Sequence, residues 1–205
     1  MLHTIKHTTN KMLTGNLSKI FVLSMLVLVL AACNNEPKKD DTEKVAEEKN
    51  EAKFDNQKEN DASFLVDAAE INLEEIQLGK LAQQKGSMAE VKEFGKMMVD
   101  EHEKALADLK TFAATKQITI PTNVTEDNID EYKDLSNKKL KNFDEAYCDK
   151  MVKGHKDAIE KFERVANNND ADSTIRSFAS NMLPSLRKHL EHAIVCQQKC
   201  EAANK

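Results

Sequence analysis

Residues 98–109 read Met98-Val99-Asp100-Glu101-His102-Glu103-Lys104-Ala105-Leu106-Ala107-Asp108-Leu109. Met98, His102, Ala105 and Leu109 recur at steps of four, three and four, which puts them on one face of a helix. Asp100, Glu101, Glu103, Lys104 and Asp108 stand between them. A second stretch repeats the pattern: Met151-Val152-Lys153-Gly154-His155-Lys156-Asp157-Ala158-Ile159, running on to Phe162. Helical periodicity alone explains the shared apolar positions. It does not demand a histidine at the same offset in both.

Three more segments with the same periodicity flank or join these two. A first helix begins where Asp61 or Ser63 can cap it, carries the stripe Phe64, Ala68, Ile71, Leu78 and Ala82, and ends near Gly86. Ser87 can cap the second, which turns Val91, Phe94, Met98, Ala105, Leu109 and Phe112 inward as far as about Lys116. Residues 118–128 hold Pro121 and several capping residues and read as a long crossover, with a short helix over Ile129–Leu140. The third long helix covers roughly Lys141 to Asn167, with Asp144, Tyr147, Met151, Ala158, Phe162 and Val165 on one stripe. Asn167-Asn168-Asn169-Asp170 is a turn. The fourth helix runs from about Ser173 to Cys200, and Pro184 within it predicts a kink or a break. Two short loops and one long middle connection predict an all-α fold: a ferritin-like antiparallel four-helix bundle.

Composition supports helix over sheet. The 205 residues include five Gly, three Pro and no Trp, and 30 Lys and Arg face 35 Asp and Glu for a net charge of −5. Positive residues alternate with acids and no aromatic array interleaves them, so no nucleic-acid surface is expected.

Ahead of the bundle, Lys6, Lys11 and Lys19 precede the uncharged run Ile20–Leu30, which leads into Leu30-Ala31-Ala32-Cys33. A basic start, a short apolar run and small residues before a cysteine form a secretory signal ending in what resembles a bacterial lipobox. The run is shorter than the about 20 apolar residues that a membrane span needs. Cleavage before Cys33 would leave residues 1–32 as signal peptide and put lipid on Cys33, anchoring the chain to a membrane of the cell envelope through more than one acyl chain. Asn34 in the next position points to the outer membrane, by analogy with lipoprotein sorting in enteric bacteria. From Cys33 to Asp61 the chain is almost wholly polar and is expected to be a disordered tether, a helix over Glu43 to Lys58 being the alternative although it would have no apolar face, with the folded domain at 62–205.

Each of three helices puts one histidine inward near its middle: His102, His155 and His189. The first helix offers Glu70, Glu74 and Glu75 at similar depth. Folding the fourth helix back on the third brings position 155 opposite about 186, within one turn of His189. Folding the second on the first brings position 102 near Glu70 and Glu74. Imidazoles and a carboxylate meeting inside a bundle make Glu75, His102, His155 and His189 a candidate site for Fe, Mn, Zn or Cu. The competing reading is a buried layer in which His, Glu and Tyr147 hydrogen-bond one another and fix helix register. Di-iron bundles use Glu-x-x-His on two helices. Here Val99, Val152 and Leu186 stand three before the histidines, which argues against oxygen-activating iron chemistry.

Cys148, Cys196 and Cys200 remain in an oxidising compartment. The same fold-back places Cys148 opposite about position 193. A Cys148–Cys196 disulfide is expected, with Cys200 as the other partner available to Cys148. Cys196 and Cys200, one turn apart, also have the spacing to hold a soft metal.

Ala68-Ala69, Glu75, Leu78-Gly79-Lys80-Leu81-Ala82, Val91-Lys92-Glu93-Phe94 and Met98-Val99-Asp100-Glu101-His102 occur in an order that resembles the ferritin-like domain-of-unknown-function family 4142. Phe143-Asp144, Tyr147, His155, Leu183-Pro184 and His189 continue the resemblance to about Cys196. Where that family usually shows Asp-His, this chain has Glu101-His102. The resemblance implies a ferritin-like bundle in an exported or envelope-associated bacterial protein; it implies no reaction. Three functions fit: a membrane-anchored protein that binds a metal or small partner, a redox or hydrolytic metalloenzyme using Glu75, His102, His155 and His189, or a structural module. The absence of a Ser-His-Asp order, a phosphate loop or a paired Cys-x-x-Cys weighs against other enzyme classes and leans the chain away from catalysis.

Overall fold

The computed structural model describes residues 42–203, and all of its regular structure is helical. The expected signal peptide, the lipobox and Cys33 lie outside those residues. No described helix is long and apolar enough to cross a membrane.

Six helices follow in order: α1 (Thr42–Glu51), α2 (Asn56–Lys85), α3 (Ala89–Thr115), α4 (Glu126–Ser136), α5 (Leu140–Ala166) and α6 (Ser173–Ala203). The four long ones pack chiefly as two pairs, α2 along α3 and α5 along α6. The pairs meet through α2 against α5 and α3 against α6. The α2–α3 pair is close because two glycines face each other. A Cβ added at Gly79 would stand 2.7 Å from the Gly95 carbonyl oxygen, and one added at Gly95 would stand 2.7 Å from the Ala82 Cβ.

The start of the domain differs from expectation. The polar stretch 42–61, expected as tether, instead contains α1 and the first turns of α2. Its packing is polar as well as apolar. Ala46 and Asn50 are buried on α2 and the crossover. The Asn50 amide donates to the Thr119 carbonyl and accepts the Thr119 N–H, both at 2.9 Å. Thr42 Oγ1 adds a bond to the Asn123 carbonyl at 3.1 Å. A count of apolar residues does not detect a helix held by reciprocal amide bonds to a distant loop.

Capping shows the same tertiary effect. Asp55, not Asp61 or Ser63, caps α2 by accepting the Lys58 N–H at 3.2 Å. Asp61 is buried within α2 and accepts the Asp172 N–H at 3.0 Å, tying α2 to the start of α6. Nor does the Ser87 side chain cap α3 by itself. Asp144, reaching from α5, accepts the Ser87 N–H at 2.9 Å and the Met88 N–H at 3.0 Å, and also takes the Ser87 hydroxyl. A carboxylate there satisfies free N–H groups and complements the positive end of the helix dipole. Pro184 does not end α6. Pro184 has no N–H to give the Ser180 carbonyl, and both residues lie on the exposed side of α6.

Two apolar clusters fill the core. One gathers Phe64, Leu65, Leu106, Leu109, Phe162, Ile175 and Leu186; the other gathers Leu78, Val91, Phe94, Met98, Phe143, Tyr147 and Met151 with all three described cysteines. The buried polar residues Asn72, Glu75, His102, His155 and His189 fall between the two sets along their own helices. On α3, for example, His102 stands between Met98 and Leu106.

Candidate metal centre

The three expected histidines meet. Ring centroids are 5.1 Å apart for His102 and His189, 5.4 Å for His155 and His189, and 6.0 Å for His102 and His155. One ring nitrogen from each lies within 4.8 Å of one from each of the others. All three side chains are buried. A tetrahedral ion held ~2.1 Å from each nitrogen would set neighbouring ring centroids roughly 5 Å apart, so the rings stand close to the spacing an ion needs.

Each ring is held from behind by an acceptor. His102 Nδ1–H donates to the Asn72 side-chain oxygen at 3.0 Å. The Asn72 amide nitrogen donates to the Ala68 carbonyl at 2.6 Å, which fixes that oxygen toward the ring. His155 Nδ1–H donates to the Met151 carbonyl, one turn back on its own helix, at 2.8 Å. His189 Nε2–H donates to a Glu101 carboxylate oxygen at 2.7 Å. A neutral imidazole has one N–H, so these bonds leave His102 Nε2, His155 Nε2 and His189 Nδ1 as bare lone pairs. Those same three atoms are buried with no hydrogen-bond partner among the described residues.

Electrostatics keep the rings neutral. Burial pushes the His102 pKa well below its ordinary value, and the neighbouring His189 and His155 push it the same way. Burial also lowers His155 to about 4, against the bond to Met151. His189 is lowered by burial although Glu101 opposes the shift. Burial alone would raise the Glu101 carboxyl, but bonds from His189 and Lys188 outweigh it and hold it at about 2. Glu101 is therefore ionised, and its other oxygen takes the Lys188 ammonium at 3.0 Å.

Glu75, expected as a fourth ligand, sits beside the cluster rather than in it. Its Oε1 is 3.8 Å from His155 Nδ1, the nitrogen already turned to Met151. Burial pushes its carboxyl up to about 8, with the charge of Glu74 adding to the shift. Glu74 pairs with Lys150 at 2.9 Å. Tyr147 is fully buried near Glu75, and its hydroxyl has no partner among the described residues.

Asn72 and Glu101 are site residues that the sequence reading did not assign. Asn72 was within reach, because Ala68, Asn72, Glu75, Gly79 and Ala82 step by four, three, four and three, and all five are buried. Glu101 carried no such signal: it neighbours His102 in sequence but serves the histidine of another helix.

The cysteines form a second cluster. Cys148 Sγ lies 2.6 Å from Cys196 Sγ and 3.8 Å from Cys200 Sγ, and all three are buried thiols. The two expected to pair are thus neighbours, with the third beside them. The Cys148 S–H donates to Cys196, which raises the Cys148 pKa and lowers that of Cys196, while burial pushes Cys200 up to about 11.

A family described as a domain of unknown function (DUF4142) matches residues 42–195. The chain belongs to the DUF4142 family. No curated protein and no solved structure is significantly similar to it. The DUF4142 match begins at α1, where the described fold begins, and takes in all three histidines and Cys148. Cys196 and Cys200 lie just past its end.

Proposed function

We propose that this chain is a lipid-anchored protein of the bacterial envelope whose ferritin-like four-helix bundle holds one transition-metal ion on His102, His155 and His189. One observation carries the metal: three buried rings meet with one nitrogen of each within 4.8 Å of the others, and each ring has one nitrogen bonded to a fixed acceptor and the other buried without a partner. A hydrogen-bonded layer would need at least one ring to donate across the cluster. Without an ion, each lone pair forgoes a bond at a cost of about 1–3 kcal/mol, and protonation is opposed by burial and by the other rings. A divalent cation satisfies all three at once. The outward acceptors are those that orient histidine ligands and strengthen them as donors.

Three neutral imidazoles suit Zn, Cu or Fe better than Mn, which prefers oxygen donors. Three protein ligands also leave a fourth position open, as in hydrolytic zinc sites. Binding without turnover is nevertheless the better reading, because all three rings are buried and an ion among them is shielded from bulk water. The two helix pairs joined through α4 support the ferritin-like reading. The anchor rests on Leu30-Ala31-Ala32-Cys33.

The test is elemental analysis of the full chain, purified in detergent without a His tag. One ion per chain, lost in His102→Ala and in His155→Ala, is the expected result. A chain that holds no metal after incubation with Fe, Mn, Zn and Cu overturns the site. Labelled palmitate incorporated by the wild type and not by Cys33→Ser checks the anchor separately.

A further inference from the structure

Away from the histidines, three thiols from two helices meet in the other apolar cluster. Cys196 and Cys200 are one turn apart on α6, and Cys148 faces both from α5. One sulfur from each lies within 4.8 Å of the others, and no oxygen or nitrogen ligand belongs to the group. The surroundings are Phe94, Phe143, Tyr147, Met98 and Met151, with Met97 packed at the edge. The cluster is not sealed. A surface cavity of about 240 Å³ between α3 and α6 reaches Cys196, and Met97, His192, Glu90 and Glu93 line its approach. At its rim Lys199 pairs with Glu90 at 3.1 Å.

We propose that Cys148, Cys196 and Cys200 form a second metal site, selective for monovalent copper and loaded through the cavity beside Met97 and His192. Thiolates are soft donors and select Cu(I), and a closed structural zinc site takes four protein ligands where this cluster offers three. The carboxylates, the imidazole and the thioether that line this cavity are donors a cation can contact on its way to Cys196. As each sulfur–copper bond forms, that thiol's proton leaves for bulk water, and no electron changes hands. The imidazole centre takes a borderline divalent ion and the sulfur centre a soft monovalent one. This proposal stands or falls separately from the histidine site. It also excludes a simultaneous Cys148–Cys196 disulfide, which would consume two of the three ligands.

The experiment uses the full chain, reduced and kept under argon, titrated with Cu(I) against a chromogenic Cu(I) chelator. The expected result is one tightly held equivalent whose copper X-ray absorption shows sulfur neighbours. That equivalent is lost in Cys148→Ser and in Cys196→Ser and kept in His102→Ala. The wild-type spectrum keeps the test decisive even if a serine variant folds poorly. Copper with nitrogen neighbours alone, or copper held equally tightly by Cys196→Ser, overturns the proposal. So does protein trapped with an alkylating agent in cells and recovered mainly as Cys148–Cys196-linked peptides.

Discussion

The histidine layer and the cysteine cluster share α5 and α6, and Tyr147 is close enough to both that Glu75, Cys148 and Cys196 each raise its pKa. They differ in what stands behind the donors. Every histidine has an acceptor fixing its rear nitrogen, so three lone pairs are aimed before any ion arrives. Among the described residues the thiols have one another: Cys148 bonds to Cys196 and approaches Cys200. They differ also in access, since a cavity reaches Cys196 and the described cavities miss the rings. A preorganised site binds with little rearrangement, whereas a self-paired one must break internal contacts first. Two polar clusters can share one core and still have opposite readiness.

The largest effect expected is loss of zinc from His189→Ala at loading that saturates the wild type, while Cys196→Ser retains it; equilibrium dialysis with elemental analysis separates the two. If both lose zinc, the clusters are one site and the comparison collapses.

Next in size is the response of metal-free protein to pH. His155 titrates near 4 in the folded chain against 6.5 for an ordinary histidine. Unfolded chains therefore bind the proton first as pH falls, and stability drops from 6.5 toward 4 by about 3 kcal/mol. Glu75 works in the opposite sense. Its folded pKa of about 8 lies above 4.5, so rising pH deprotonates the unfolded chain first and stability drops toward pH 8. The two slopes oppose between 4.5 and 6.5. Glu75→Gln should raise the melting temperature at pH 8 and expose the histidine slope at acid pH. Cys200→Ser should leave both slopes as they are.

Glu101→Gln should weaken zinc binding about 10- to 100-fold through loss of the carboxylate behind His189. Asn72→Leu should do the same for His102. Dialysis that shows no change in either would mean that the rings are aimed by packing alone, which removes the contrast with the thiols. The smallest effect concerns access: Met97→Trp, narrowing the cavity, should slow alkylation of Cys196 and leave zinc affinity unchanged.

Much of this was legible in one dimension. The apolar steps of three and four located all four long helices, and the repeated histidine offset located the layer. Fold-back arithmetic brought His155 to His189 and Cys148 to Cys196 because both lie on neighbouring helices joined by a short turn. Less legible was α1. Its buried Asn50 is bonded to Thr119, 69 positions away, and a polar residue with a distant partner looks like solvated linker when read locally. The caps failed for the same reason. Asp144 serves the N-terminus of α3 from 56 and 57 positions away, whereas capping rules look three residues ahead.

The sequence by itself determined the helices, their inward faces, and the depth of three histidines and three cysteines, because helical periodicity and burial are local or cumulative properties of the chain. Tertiary structure decided which nitrogen of each ring is held by an acceptor, that Glu75 stands beside the layer rather than in it, and that a cavity reaches Cys196. The acceptors behind His102 and His189 and the gap beside Cys196 each involve a second helix, whereas His155 is turned by the Met151 carbonyl of its own helix. A tautomer follows from the group behind the ring, and only the packed chain places that group.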